Sequence, residues 1–407
     1  MPQLGSRGDN PANDIRQTLP PHIQQVAMVL QGGGALGAFQ AGVYEGMAEA
    51  GYEADWFVGV SIGAIHAAIL AGNPPGRRLE RLHAFWDRIS RPEWTVAPPW
   101  DSPWRPAFNR AHAAYAMTCG QPGFFTPRPP GSSALAPPHS EAARSIYTPL
   151  PLRATLERLV DFERINRGES RLSLGTVNVR TGKTVYFDSS RQTIGPEHVL
   201  ASTALPPAFP PVEIEGELFW DGGVVSNTPL EVVMDDNPRR STLCLMVDLF
   251  DARGDAPADL EAVAERHKDI TYASRSDRHI DHYRNLHHLR RIISELHQRL
   301  PPAAQADSHV REMASWGCTT TMSIVHMIYH SVASETHSKD YEFSRASVRD
   351  HWAAGLRDAR RAFSEQRWLV RAPHDLGVEV EEIVSTPGPH VSPMHMMISQ
   401  GPGETST

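Results

Sequence analysis

Two short stretches of this chain carry residues that can do chemistry together. Gln31-Gly32-Gly33-Gly34-Ala35-Leu36-Gly37 is a glycine-rich turn, and Gly59-Val60-Ser61-Ile62-Gly63 follows it. A turn of glycines can aim backbone N–H groups at an anion. A G-x-S-x-G bend can lift a serine hydroxyl out of a sharp strand-to-helix corner. Together they describe an acyl-transfer site, one piece holding the oxyanion and the other supplying the nucleophile. A third stretch, Phe219-Trp220-Asp221-Gly222-Gly223-Val224, places an aspartate at a strand end with two glycines behind it. Those glycines let the backbone approach another loop closely. A buried aspartate beside Ser61 could take its proton directly, without a histidine.

Each motif also has a plainer meaning. Gly32, Gly34 and Gly37 match the dinucleotide pattern G-x-G-x-x-G, a weak signal alone. A nicotinamide or flavin site wants an acidic residue at the end of the second strand, about 20 residues on. Here Glu53 and Asp55 come before that strand, and its end carries Ser61. Asp221-Gly222 is also a common hairpin turn. Many histidines follow Ser61, so a Ser–acid–His triad stays open by count, though none lies in an obvious catalytic turn. His66 shares the helix after Ser61 and is rotated away from it, which suits a packing residue.

The elements that must position these residues are legible. Val26-Ala27-Met28-Val29-Leu30 is apolar and β-prone, as a buried parallel strand is. Leu36, Phe39, Val43 and Met47 then recur at helical spacing, so the glycines join strand to helix beside the unpaired N–H groups of a helix N-terminus. The second unit repeats the order: Trp56 to Val60 as strand, Ser61 at the turn, Ile62 to Leu70 as buried helix. Such a serine points into the crevice at the carboxyl ends of parallel strands. Leu172 to Val179 and Thr184 to Phe187 read as neighbouring strands joined at Thr181-Gly182-Lys183, and Thr242 to Val247 as a further buried strand.

These motifs, in this order, resemble the patatin-like phospholipase family. Leu30 to Val43, Gly59-Val60-Ser61-Ile62-Gly63-Ala64 and Trp220-Asp221-Gly222-Gly223 carry the resemblance, and Ala201 to Val212 resembles the segment leading into the family's catalytic aspartate. It covers roughly residues 25 to 250. The resemblance implies a Ser–Asp dyad, with Ser61 as nucleophile and Asp221 as base. It implies an oxyanion hole from the N–H groups of Gly32, Gly33 and Gly34, with Gly37, Gly59, Gly63, Gly222 and Gly223 as supporting motif positions. The implied fold is a three-layer α/β/α sandwich with a mainly parallel sheet. No metal or cofactor is implied. Many family members carry Arg or Lys just before the last glycine of the first turn; this chain has Leu36, which weakens the case for a phosphate-bearing lipid.

Composition agrees with an enzyme. The chain has 407 residues, 40% of them hydrophobic, ample for a large core. A net charge of −8 argues against general nucleic-acid binding. Three scattered cysteines, Cys119, Cys244 and Cys318, fit a reducing compartment. With no signal-like or membrane-spanning run, the expected location is cytoplasmic, with peripheral membrane contact left open.

We expect a disordered N-terminus at 1–22 and a catalytic domain at 23–257. Within it, 91–151 is rich in Pro and carries Trp94, Trp100, Trp104, Phe108, Phe124 and Phe125, which reads as a cap offering an apolar wall to an acyl chain. A helical C-terminal extension follows at 258–386, then a flexible tail at 387–407. Within the extension, Ile280, Tyr283, Leu286, Leu289, Ile293 and Leu296 form an apolar stripe beside Arg278, Arg284, Arg290, Arg291 and Arg299. That helix suits packing on the protein's own core, or contact with an anionic membrane. The run Ser338 to Ser344 followed by helical Val348 to Phe363 resembles an extension on one bacterial patatin-like subgroup, where an interface or scaffold role, including homo-oligomer contacts, is the expectation. Gly377 to Val384 reads as a strand. His326 and His330 would share a face if helical, but with no glutamate between them they make no zincin motif; His279/His282 and His287/His288 lack acidic or cysteine partners. The expected activity is hydrolysis of a lipid ester by Ser61 through an acyl-enzyme. The alternatives are a polyhydroxyalkanoate depolymerase with the same dyad and a nucleotide-binding regulator using the glycine turn.

Overall fold

The run from Val26 to Leu30 is apolar at every position, and the protein uses both of its sides. Val26, Met28 and Leu30 enter one core, while Ala27 and Val29 enter a second core on the opposite face. A strand covered on both faces belongs in a sheet with helices above and below it. The computed structural model has that three-layer α/β architecture, and it describes residues 19–92, 96–273, 276–332, 334–366, 368 and 377–385. The N-terminus before residue 19, Trp94 and the tail from 387 lie outside the described residues.

The strands are β1 (Gln25–Leu30), β2 (Trp56–Gly59), β3 (Thr126–Pro127), β4 (Tyr147–Thr148), β5 (Arg171–Asn178), β6 (Thr184–Asp188), β7 (Val212–Ile214), β8 (Glu217–Asp221), β9 (Thr242–Asp248), β10 (Met322–Ile328) and β11 (Val378–Val384). Nine of them form one sheet in the order β11-β10-β9-β1-β2-β5-β8-β7, with β6 paired to β5, while β3 and β4 make a separate pair. From β11 to β5 every pairing is parallel; β6 and β8 pair antiparallel with β5, and β7 pairs antiparallel with β8. The carboxyl ends of β1 and β2 therefore lie side by side, with Leu30 opposite Gly59. The antiparallel β8 ends beside them, with Asp221 opposite Thr176.

Six helices matter for the site: α1 (Ala38–Glu49), α2 (Ile62–Ala71), α3 (Arg105–Cys119), α4 (Leu260–Ala273), α5 (Ser276–Arg299) and α6 (Arg345–Glu365). The C-terminal region is helical, as expected, but it does not stand apart from the sheet. β10 extends the sheet from β9 and β11 extends it further, so the expected boundary at 257 falls within one continuous sheet. His326 therefore sits on a strand and not on a helix. The alternating burial of Met322, Ile324 and Val325, Met327 into the two cores decides for the strand.

The last long helix locks the first. A Cβ at Gly42 of α1 would collide with the Trp352 carbonyl oxygen, and one at Gly355 of α6 would collide with the Phe39 carbonyl oxygen. Backbones this close leave no room for any side chain. Arg360 clamps the same pair through Glu49 at 2.7 and 2.8 Å. Gly355→Val is expected to destabilise the protein by about 3 kcal/mol or more through overpacking. Thermal melting measures it; an unchanged midpoint would remove this contact from the account.

In α5, Ile280 and Tyr283 pack into the second core with Leu286 against them. Arg290 and Arg291 are buried as well, whereas Leu289 and Leu296 are exposed. The stripe is thus only half used for packing. No described helix is long and apolar enough to cross a membrane.

Candidate active site

Ser61 stands between β2 and α2 with φ 56° and ψ −124°. A non-glycine residue held there stores roughly 1–3 kcal/mol of strain, and its surroundings must over-determine it. They do. The Ser61 N–H donates to the Ser202 carbonyl at 3.0 Å, and the Ser202 hydroxyl donates to the Gly175 carbonyl at 2.7 Å. A Cβ at Gly59 would strike the Gly63 carbonyl, and one at Gly63 would strike the Leu30 carbonyl. The two flanking glycines exist because three backbone segments cross here without a gap.

Asp221 closes β8 and is 1% exposed. Its N–H donates to the Ala204 carbonyl at 3.0 Å, and its Oδ1 accepts the Gly223 N–H at 2.8 Å. Gly222 must be small because a Cβ would sit 2.7 Å from the Gly175 carbonyl oxygen. Oδ2 has no fully formed hydrogen bond, yet the Ser61 hydroxyl lies close enough to favour the charged carboxylate. Burial dominates nonetheless and pushes the carboxyl up to about 7, against the opposing pull of the Gly223 N–H and the Ser61 hydroxyl.

The glycine turn is not uniform. The Gly32 N–H donates to the Asn227 carbonyl at 3.3 Å, and the Gly32 carbonyl accepts from Asn227 Nδ2 at 2.9 Å. Gly32 also comes so near Ser61 that its Cβ would lie 3.0 Å from the serine Cβ. The amides of Gly33 and Gly34, by contrast, donate to no protein acceptor among the described residues. The same is true of Ile62, the residue after the serine. Gly34 has φ +56°, and Gly37 packs on Ile62, where a Cβ would lie 2.5 Å from Cγ1. Gln31 anchors the turn from behind: its Oε1 accepts the Leu249 and Phe250 amides at 2.5 and 3.1 Å, and its Nε2 donates to Thr228 Oγ1 at 2.8 Å.

Ser61, Asp221, Gly32, Gly33 and Gly34 thus meet in one chamber, about 620 Å³ with the open space at its mouth included. Phe124 and Phe125 of the aromatic insert line it, with Phe209 and Phe250. Trp100, Trp104 and Phe108 do not. Trp100 stacks beneath Arg105 and Trp104 is largely exposed. Among the described residues of the insert, only the glycine-flanked end after α3 therefore reaches the site. The outer wall comes from Tyr272 of α4, which carried no motif, and from Asp340, Tyr341 and Phe343, whose run from Ser338 to Ser344 reads in the sequence as interface or scaffold and not as part of the site. Asn227 was equally silent in the sequence. Its only hint is its place six residues after Asp221, on a turn bound to approach the glycines.

The histidines lie elsewhere. His66 accepts from Trp86 Nε1 at 3.1 Å through Nε2 and donates from Nδ1 to Gln40 Oε1 at 2.9 Å, while burial drives it down to about 3. It is a neutral packing residue. His326 pairs with Asp248 at 3.0 Å and His330 with Asp251 at 3.0 Å.

Two family models match the chain. One, described as patatin-like phospholipase, covers residues 28–234, and the other, described as patatin phospholipase, covers residues 270–375. No curated protein matches. The crystal structure of VipD from Legionella pneumophila aligns over 81% of this chain and 67% of that chain, at 13% identity and a TM-score of 0.31, a similarity too distant to carry an argument.

Proposed function

The chain belongs to the patatin-like phospholipase family, and on that premise we propose that it is a lipid acyl hydrolase working through a Ser61–Asp221 dyad. The observation that carries this reading is the chamber itself. It joins a strained serine, a buried carboxyl raised to about 7, and the unengaged backbone amides of Gly33 and Gly34, with that of Ile62 beside the serine.

Ser61 Oγ attacks the ester carbonyl carbon while Asp221 Oδ2 takes its proton. The tetrahedral oxyanion is received by the N–H groups of Gly33 and Gly34; Gly32, committed to Asn227, sets how near the turn stands to the serine. Collapse expels the alcohol, which leaves with the proton from Asp221. Water, deprotonated by the same carboxylate, then attacks the acyl-serine; the carbonyl carbon–Oγ bond breaks, Asp221 returns the proton to Ser61 Oγ, and the carboxylic acid leaves. A carboxyl balanced near neutral pH can both accept and return that proton.

A nucleotide on the glycine turn is disfavoured, because its phosphates would face the Asp221 carboxylate and the Asp340 carbonyl beside Gly34. The polyester alternative would use the same attack, and no feature of the chamber favours it. The test is covalent labelling of the full chain by a fluorophosphonate. A single adduct on the Ser61 peptide supports the reading; tight NAD or ATP binding without an adduct would end it.

Asn227→Ala is expected to keep the fold and lower kcat by about 10- to 100-fold, less than the loss of an oxyanion donor itself. Steady-state kinetics on a soluble ester check it. A kcat within twofold of the parent would show that the turn holds its shape unaided.

A further inference from the structure

The outer wall of the chamber comes from chain far from the glycine turn, the serine bend and the Asp221 strand end. Residues 338–343 lie against the glycine turn, where a Cβ at Gly34 would collide with the Asp340 carbonyl oxygen. Asp340, Tyr341 and Phe343 line the chamber together with Tyr272 of α4. Buried ion pairs fasten this segment to α4. Lys339 Nζ donates to Asp269 Oδ1 at 2.7 Å, Glu265 Oε1 at 3.1 Å and Ser331 Oγ at 2.5 Å. Burial alone would drive that ammonium toward its neutral form, but Glu335, Asp269 and Glu265 hold it charged. Lys268 Nζ donates to Asp340 Oδ1 at 2.7 Å and to the His337 carbonyl at 2.5 Å.

Both lysines of this fastening are therefore committed. Among the described residues, no Lys, Arg or His lines the chamber, while Asp221 and Asp340 do. Leu36, the residue before the last glycine of the turn, is fully buried and brings no charge. The phenols of Tyr272 and Tyr341 are pushed up by burial and also by the charges of Asp340 and Asp221. The lining is aromatic, with two carboxyls, one of them paired with Lys268, and no cation that is not already committed among the described residues.

We propose that residues 338–343 make this site select esters whose alcohol part carries no anionic group, neutral acylglycerols above anionic phospholipids; the inference rests on the acyl-hydrolase reading of Ser61. In a lysophospholipid the phosphodiester lies only a few atoms from the scissile carbonyl. Held at Ser61, it would lose water beside the Asp221 carboxyl and an Asp340 already paired with Lys268, and meet no uncommitted cation. A glyceryl group instead brings hydroxyl donors, which suit carboxylate and carbonyl oxygens.

The experiment compares kcat/KM of the full chain on a monoacylglycerol and on lysophosphatidylglycerol with the same acyl chain, in one detergent, beside fluorophosphonate labelling. The neutral ester is expected to win by roughly 30-fold or more, the scale of leaving a charged group unpaired in a dry site. Asp340→Asn removes the partner of Lys268 and leaves an ammonium beside the chamber. It is expected to move the ratio about 10-fold or more toward the anionic substrate. Equal turnover of the two esters with normal labelling, or a folded Asp340→Asn enzyme whose ratio does not move, overturns the proposal and leaves Ser61 in place. If Asp340→Asn does not fold, the parent ratio still decides. Absence of both labelling and turnover removes the acyl-hydrolase reading, and this inference with it.

Discussion

Ser61→Ala is expected to lose fluorophosphonate labelling and to lower ester turnover by about 10,000-fold or more, with melting unchanged or slightly raised. The size follows from the chemistry. Without Oγ there is no acyl-enzyme, and only the amides of Gly33 and Gly34 and the binding wall remain to act on the ester. The direction of the stability change follows from the hydroxyl and not from the backbone, which stays at φ 56° in both. Alanine keeps the strained backbone but removes a hydroxyl that has only one carboxylate to answer it. Turnover within 100-fold of the parent would show that another residue carries the nucleophile, and the dyad would have to be abandoned.

Asp221→Asn is expected to lower kcat/KM by about 100- to 10,000-fold, the range assigned to a positioned general base. Its pH signature is more telling than its size. The base must be ionised, so activity of the parent should rise with pH, pass half its plateau near 7 and stay high above it. The variant should lose that inflection. Stability moves the other way. The folded-state pKa of Asp221 is raised above the usual carboxylate value, so the native state holds its proton through a window in which the unfolded chain has released it. The parent's relative stability is complete below about pH 4 and declines as pH rises through about 7. Above that, ionising a buried carboxyl costs on the order of 2–4 kcal/mol. Asp221→Asn should therefore melt above the parent at pH 8, and the gap should close toward pH 4. A pH–rate profile flat between 6 and 8, or a melting gap that widens in acid, would remove Asp221 from the role of base.

The local pieces of the site were legible because each obeys a short-range rule. Glycines that flank Ser61 and Asp221 announce backbone crowding, and Gly59 and Gly63 are crowded by carbonyl oxygens as that rule expects. The wholly apolar run at Val26 to Leu30 announces a strand covered on both faces. Helical spacing was less dependable near the C-terminus. Met322 to Ile328 is too short and too uniformly apolar for periodicity alone to separate strand from helix, and pairing with β9 settled it. The aromatic insert shows the same limit. Composition marks six rings as a group, while among the five that are described Phe124 and Phe125 line the chamber and Trp100, Trp104 and Phe108 do not.

What the chain determined by itself is the order of its parts: a glycine turn after one strand, a serine after the next, an aspartate at the end of a third. These are statements about neighbours in sequence, where dihedral sterics and side-chain volume act. What only the tertiary structure decided is which strangers meet them. Asn227 grips Gly32, and the carbonyl of Asp340 covers Gly34 from more than 300 residues away. Lys339 is buried among carboxylates and holds that cover in place. Such contacts depend on how helices α4 and α6 pack on a completed sheet, and on the low dielectric that packing creates. No local pattern encodes either.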